Sequence, residues 1–96
     1  MKIKFVWDAK KADYNFKKHK VSFEEAQSIF LNFPIEIFFD PDHSFAEERY
    51  IAFGFSEMNR ILMVVHIENL KGTEIRIISA RKATNRESKS IFGAKK

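Results

Sequence analysis

Residues 73–87 read TEIRIISARKATNRE. The first half predicts a strand, because Ile75, Ile77 and Ile78 are β-branched and Arg76 alone interrupts the apolar run. A run that is apolar on both faces suits a central strand better than an exposed edge. The second half predicts a helix from Asn85, since Thr84 and Glu87 stand at capping-box spacing. Arg76, Arg81, Lys82 and Arg86 therefore fall along a strand and just beyond its end. Two readings compete for this cluster. Guanidinium forks at a strand-to-helix junction suit a phosphate; the same groups can instead pair with the acidic centre of the chain.

Upstream, Asn69–Gly72 reads as a turn out of the apolar strand Ile61–Ile67. Glu57–Arg60 is a four-residue turn out of Arg49–Ser56, where Ile51, Phe53 and Phe55 alternate with Tyr50, Ala52 and Gly54. Three strands on short turns predict an antiparallel meander. A further strand, Ile35–Phe39, is closed by DPD at 40–42. Before it, Ser22 and Glu25 form a capping-box pattern, Val21 can staple onto Ala26, and Phe23, Ala26, Ile29, Phe30 and Phe33 keep helical spacing up to Pro34. Asp8 caps a weakly amphipathic helix over Ala9–Lys20, preceded by the short strand Ile3–Trp7. The C-terminal helix should end near Phe92, with Gly93 as terminator. The expected fold is a single α+β domain over residues 1–96, in the order β-α-α-β-β-β-β-α. Two N-terminal helices and one C-terminal helix pack on a mainly antiparallel sheet.

A chain of 96 residues buries roughly two-thirds of its unfolded surface and needs no staples. It has no cysteine, which removes disulfide and thiolate chemistry and points to a reducing cytoplasm. MKIKFVWD is too short and too charged for a signal segment, and no apolar run reaches membrane-spanning length. The net charge of +4 is unevenly spread: residues 1–20 carry +5, residues 21–70 carry −7, and residues 71–96 carry +6. If the two ends meet in the fold, they form a basic face that attracts polyanions.

His66 is the most suggestive single residue, because it interrupts the apolar run MVVHI and can act as general acid or base near neutral pH. A four-residue turn at 57–60 would set His66 opposite Ile51, with Arg49 diagonal on the same face and Arg76 close to its level. A slip of one residue would swap the faces. The alternative is a core histidine satisfied by a backbone carbonyl or Glu48. Glu47, Glu48 and Arg49 read either as a catalytic pair and clamp or as a strand edge guarded by charge. His19 at the end of the first helix complements the helix dipole. Asp40, Asp42 and His43 look superficially like metal ligands, but Pro41 makes DPDH a turn first and no second cluster completes a shell. No phosphate-cradling glycine loop or serine elbow is present, so nucleotide hydrolysis by those motifs is excluded.

Read in order, FVWDAKKADYNFKKHKVSFEEAQSIF, EERYIAFGFS, RILMVVH and IRIISARKATNRE resemble the BrnT toxins of bacterial type II toxin–antitoxin modules, over Phe5 to about Glu87. The combination of KH-x-VSFEEA with RIISARKAT carries the specificity. That family is similar in fold to the RelE superfamily of small ribonuclease toxins. The resemblance implies RNA cleavage that halts translation; the chemistry expected for it is metal-independent transphosphorylation with no cofactor. It also implies neutralisation by a BrnA-like antitoxin in a toxin–antitoxin heterotetramer, whose ribbon-helix-helix domain binds operator DNA on the toxin's behalf. Lys18, His19, Glu48, Arg49, His66, Arg76 and Arg81 carry over as motif positions. The expected catalytic set on this chain is Arg49, His66, Arg76, Arg81 and Glu48, with Lys18, His19, Lys82 and Arg86 contacting RNA. Tyr50 or Trp7 could stack on a base, against aromatic core as the default. Two positions depart from the family pattern: Lys20 stands where glycine usually follows KH, and Tyr50 lies near where a tryptophan is common. A non-catalytic basic module that binds RNA or protein is the competing reading.

Overall fold

In the computed structural model, which describes residues 2–43 (His43 by its backbone only) and 47–93, both ends of the chain meet on one strand, β5 (Glu74–Lys82). The order is β1 (Lys4–Val6), α1 (Ala9–His19), α2 (Phe23–Ser28), β2 (Ile35–Asp40), β3 (Arg49–Phe55), β4 (Ile61–Glu68), β5 and α3 (Asn85–Phe92). The sheet runs β1-β5-β4-β3-β2. β2 to β5 are antiparallel, whereas β1 lies parallel to β5 with Val6 beside Arg76. The sheet is therefore mixed, and the parallel pairing brings the two basic ends of the chain together.

The core lies between the sheet and the two N-terminal helices. Val21, Phe23, Ala26 and Ile29 pack against Ala52, Leu62, Val64, Ile75, Ile77 and Ala80. Trp7 meets Phe23 edge-on at 5.9 Å, which makes it a core residue. The helix expected to run to Phe33 stops at Ser28 and finishes as a 3₁₀ turn over Ile29–Leu31. Its end is seated directly on β3: a Cβ on Gly54 would stand 3.1 Å from that of Ile29, and the Asn32 amide donates to the Phe55 carbonyl. α3 packs on the opposite face of the sheet, where Phe92 meets Phe55 at 5.2 Å.

Beyond Val6 the edge of β5 is completed by a side chain. The buried Asn15 amide donates to the Ala80 and Val21 carbonyls and accepts from the Ala80 N–H, at 2.9–3.1 Å. One amide thus holds α1, the α1–α2 connection and the sheet edge, in the place where a further strand would pair.

Lys20 adopts the left-handed conformation (φ 60°, ψ 32°), and its N–H closes the helix on the Phe16 carbonyl. A Cβ there is strained by about 1 kcal/mol relative to glycine, although glycine also loosens the unfolded chain. Lys20→Gly should therefore raise stability by roughly 0.5–1 kcal/mol, read as a melting temperature higher by a few degrees. A lower melting temperature would contradict the strain.

The β3–β4 connection takes in Ser56 as well as residues 57–60. The Ser56 carbonyl accepts from Asn59 N at 2.9 Å, its hydroxyl accepts from Met58 N and Arg60 N, and Asn59 takes φ 60°. This extra residue shifts the pairing by one, so that Tyr50, not Ile51, faces His66.

Candidate functional site

The one-residue shift carries His66 to the helix-covered face of the sheet, where it is fully buried. Its Nε2 lies 2.9 Å from Glu68 Oε2, Phe30 meets it edge-on at 5.0 Å, and Tyr50 stacks on it at 6.0 Å. Nδ1 is buried with no hydrogen-bond partner among the described residues. His66 thus sits in the core with Glu68 as its partner in place of Glu48. The expected grouping of His66 with Arg49 is not formed, and Tyr50 is committed to the histidine ring.

Arg49 and Arg76 do come together. Both stand opposite Ile67 on the outer face, one from each neighbouring strand. With Asp8, Lys11 and Glu47 they line a cavity of about 230 Å³. Arg76 donates to Glu47 at 2.6 Å, in a pair whose side chains are 44% and 55% exposed. A bulge in β5 sets the facing of these arginines. Val65 pairs with Ser79 and His66 with Ile77, so Ile78 is the extra residue. Arg76 and Arg81, five apart, would alternate onto opposite faces of a regular strand; the bulge puts both on the outer one.

They are nonetheless separated by roughly 15 Å of strand, and Arg81 has a different commitment. Its two terminal nitrogens hold both oxygens of Glu87 at 2.9 and 2.8 Å, and the same carboxylate accepts the Thr84 N–H to complete the α3 capping box. The Arg81 hydrogen bonds hold the Glu87 carboxyl well below its ordinary 4.5, at about 2. A depressed carboxylate pKa contributes stability that is complete above pH 4.5 and is lost as pH falls towards 2. Solvent screening of this partly exposed pair limits the contribution to about 1–2 kcal/mol. Arg81→Ala should flatten that part of the stability–pH profile, and an unchanged profile would show that Glu87 is not held by Arg81. Lys82 and Arg86 are exposed at the same end, at the close of β5 and in the first turn of α3.

A second cavity, of about 500 Å³, lies between α1 and the bulged part of β5, lined by Lys10, Lys11, Tyr14, Lys18, His19, Ile78 and Ser79 among others. The Lys18 Nζ stands 5.8 Å from the centre of the Tyr14 ring. Lys11 and Ile78 border both cavities, so the two form one basic surface. Lys18 and His19 are where the sequence led one to expect RNA contacts. Lys10, Lys11 and Tyr14 were not singled out, although Lys11, Tyr14 and Lys18 share one helical stripe at spacings of three and four.

Glu48 is exposed and accepts from the Tyr50 hydroxyl at 3.3 Å. It borders a third, acidic cavity of about 520 Å³ that also takes in Glu47, Glu68 and Glu74. Asp40 is buried at the end of β2 opposite Arg49, Asp42 lies in a 3₁₀ turn, and the His43 side chain is outside the described residues. Among the described residues no three His, Cys, Asp or Glu side chains are grouped to hold a metal ion. No described helix is long and apolar enough to cross a membrane.

Residues 7–87 match the family model described as ribonuclease toxin, BrnT, of type II toxin–antitoxin system. The fold is similar to that in the 1.1 Å crystal structure of the Brucella abortus ribonuclease toxin BrnT, with TM-score 0.64 and 22% sequence identity. The alignment covers 86% of this chain and 99% of that one. No curated protein sequence matches.

Proposed function

The chain belongs to the BrnT family of type II toxin–antitoxin ribonuclease toxins, and from that premise we propose that it is an endoribonuclease whose reacting phosphate lies between Arg49 and Arg76. The observation that carries this reading is the convergence of two guanidinium groups, two carboxylates and an ammonium group on one small cavity of the outer face. Glu47 takes the proton of a ribose 2′-hydroxyl. The 2′-oxygen bonds to the adjacent phosphorus while the bond from phosphorus to the 5′-oxygen breaks, and Lys11 protonates that leaving oxygen. The products are a 2′,3′-cyclic phosphate and a 5′-hydroxyl. Arg49 and Arg76 stabilise the charge that develops on the phosphorane oxygens, and Arg76 exchanges Glu47 for phosphate as RNA enters. Such chemistry needs no metal and no cofactor.

We read the helix and strand arrangement as RelE-like, and the chain as a cytoplasmic single-domain toxin that halts translation by destroying RNA. Its neutralising partner is then a BrnA-like antitoxin. The two form a heterotetramer that reaches operator DNA only through the antitoxin's ribbon-helix-helix domain, and in it the antitoxin covers the basic surface between α1 and β5.

The test is incubation of antitoxin-free protein with end-labelled RNA in EDTA, followed by analysis of the new termini. Cyclic phosphate ends are expected. RNA left intact both with and without ribosomes would overturn the nuclease and favour a non-catalytic basic module that only binds.

A further inference from the structure

We infer that the cavity between α1 and the bulge of β5 is a base-binding subsite of the single-stranded RNA substrate, with Tyr14 as its stacking platform. The inference rests on the nuclease reading for the identity of the ligand and on separate residues for the site. Tyr14 is 66% exposed on a helix whose inward contacts are made by Ala12 and Asn15, so its ring has no role in the core. Lys18 stands over that ring. Ile78 and Ser79 form the opposite wall, one apolar and one able to exchange a hydrogen bond with a base edge. A ring, an apolar wall and a fence of lysines match what a single-stranded nucleotide offers, namely two π faces, polar edges and a charged backbone.

Size and position agree with this. A cavity of about 500 Å³ falls within the roughly 300–1,000 Å³ typical of small-ligand clefts. Lys11 and Ile78 border both this cavity and the one holding Arg49 and Arg76. A base seated on Tyr14 therefore belongs to a nucleotide neighbouring the scissile phosphate, and the subsite contributes to the choice of cutting position. The bulge at Ile78 serves both cavities, since the same extra residue turns Arg76 and Arg81 to one face and supplies the wall opposite Tyr14.

The test uses the full chain and a 2′-O-methyl RNA oligonucleotide carrying 2-aminopurine, which can be bound but not cut, together with cleavage of unmodified RNA. Wild type should quench the 2-aminopurine. Tyr14→Leu, which preserves helix propensity, should lose the quenching and bind roughly five- to a hundred-fold more weakly. On unmodified RNA it should raise KM more than it lowers kcat and blur the pattern of cuts. Tyr14→Phe, which keeps the ring, should restore the quenching. Wild-type cutting with Tyr14→Leu unchanged in Kd, KM and cut pattern would overturn the subsite and leave the nuclease standing. Tyr14-dependent quenching without any cutting would uphold the subsite and overturn the nuclease. Absence of both binding and cutting would overturn both.

Discussion

Replacing Arg76 by alanine is expected to slow RNA cleavage by about 10²–10³-fold, while the melting temperature stays within a degree or two of wild type. In the proposed site the guanidinium faces the point where negative charge grows on the phosphorane, and losing one such preorganised donor typically has an effect of this size. The small effect on stability follows from exposure. Arg76 and Glu47 are both about half exposed, and such pairs contribute at most about 1 kcal/mol. Arg49→Ala should fall in the same range. The double variant should lose less than the product of the two, because both groups act on one charge. Arg76→Lys keeps the charge but loses the fork, so it should recover only part of the rate. Arg81→Ala is the contrasting control: its guanidinium is engaged by Glu87 at the far end of the strand, and its removal should loosen α3 without matching the loss of rate. Arg76 and Arg49 variants that cut at the wild-type rate, beside an inactive but folded Arg81 variant, would move the chemistry to the strand–helix junction.

That contrast also marks where the sequence was legible. The helix and strand segments, the capping box at Thr84 and Glu87 and the basic charge of each end could be read from local chemistry. These depend on residues within a few positions of one another, or on charge summed over a segment. Facing is different, because it depends on pairing register, and register turned on single residues. Ser56 looked like the last residue of a strand, yet its hydroxyl organises the turn and sends His66 into the core. Ile78 looked like one more β-branched strand residue, yet it is a bulge that redirects Arg81. Neither has a local signature strong enough to outweigh its propensity. The β1–β5 pairing and the Asn15 clip join residues more than 60 positions apart, which periodicity cannot register.

The same reasoning predicts the reverse behaviour at Arg60, an arginine that the sequence showed only as the end of a turn. Arg60→Ala should destabilise the fold by about 3 kcal/mol, with no direct effect on the chemistry measured where the variant remains folded. Arg60 grips both oxygens of Glu25 through Nε and a terminal nitrogen, and donates to the Lys20 carbonyl at 3.1 Å. Ser56 adds a hydrogen bond to the same carboxylate at 2.7 Å. The network ties the end of α1, the start of α2 and the β3–β4 turn at one buried point, with Glu25 only 3% exposed. The Arg60 hydrogen bonds hold the Glu25 carboxyl below its ordinary pKa against a burial penalty that acts in the opposite direction. With the arginine removed only the Ser56 hydrogen bond still offsets the penalty. Breaking a buried ion pair costs about 3–5 kcal/mol, and the lower end applies because Ser56 remains and Arg60 is 29% exposed. Urea unfolding should show the midpoint falling by roughly 1–3 M. Glu25→Ala should cost a similar amount, and the double variant clearly less than the sum, because neither partner is then left alone. Strict additivity, or a loss below 1 kcal/mol for Arg60→Ala, would show that the pair does not hold these elements together. Since the depressed Glu25 pKa contributes stability above its ordinary value and loses it as pH falls, the gap between wild type and Arg60→Ala should narrow in acid. Arg60 and Arg76 thus separate by burial of their carboxylate partners: Glu25 is sealed in the fold, whereas Glu47 is about half exposed, as the proposed exchange of its arginine for a phosphate requires.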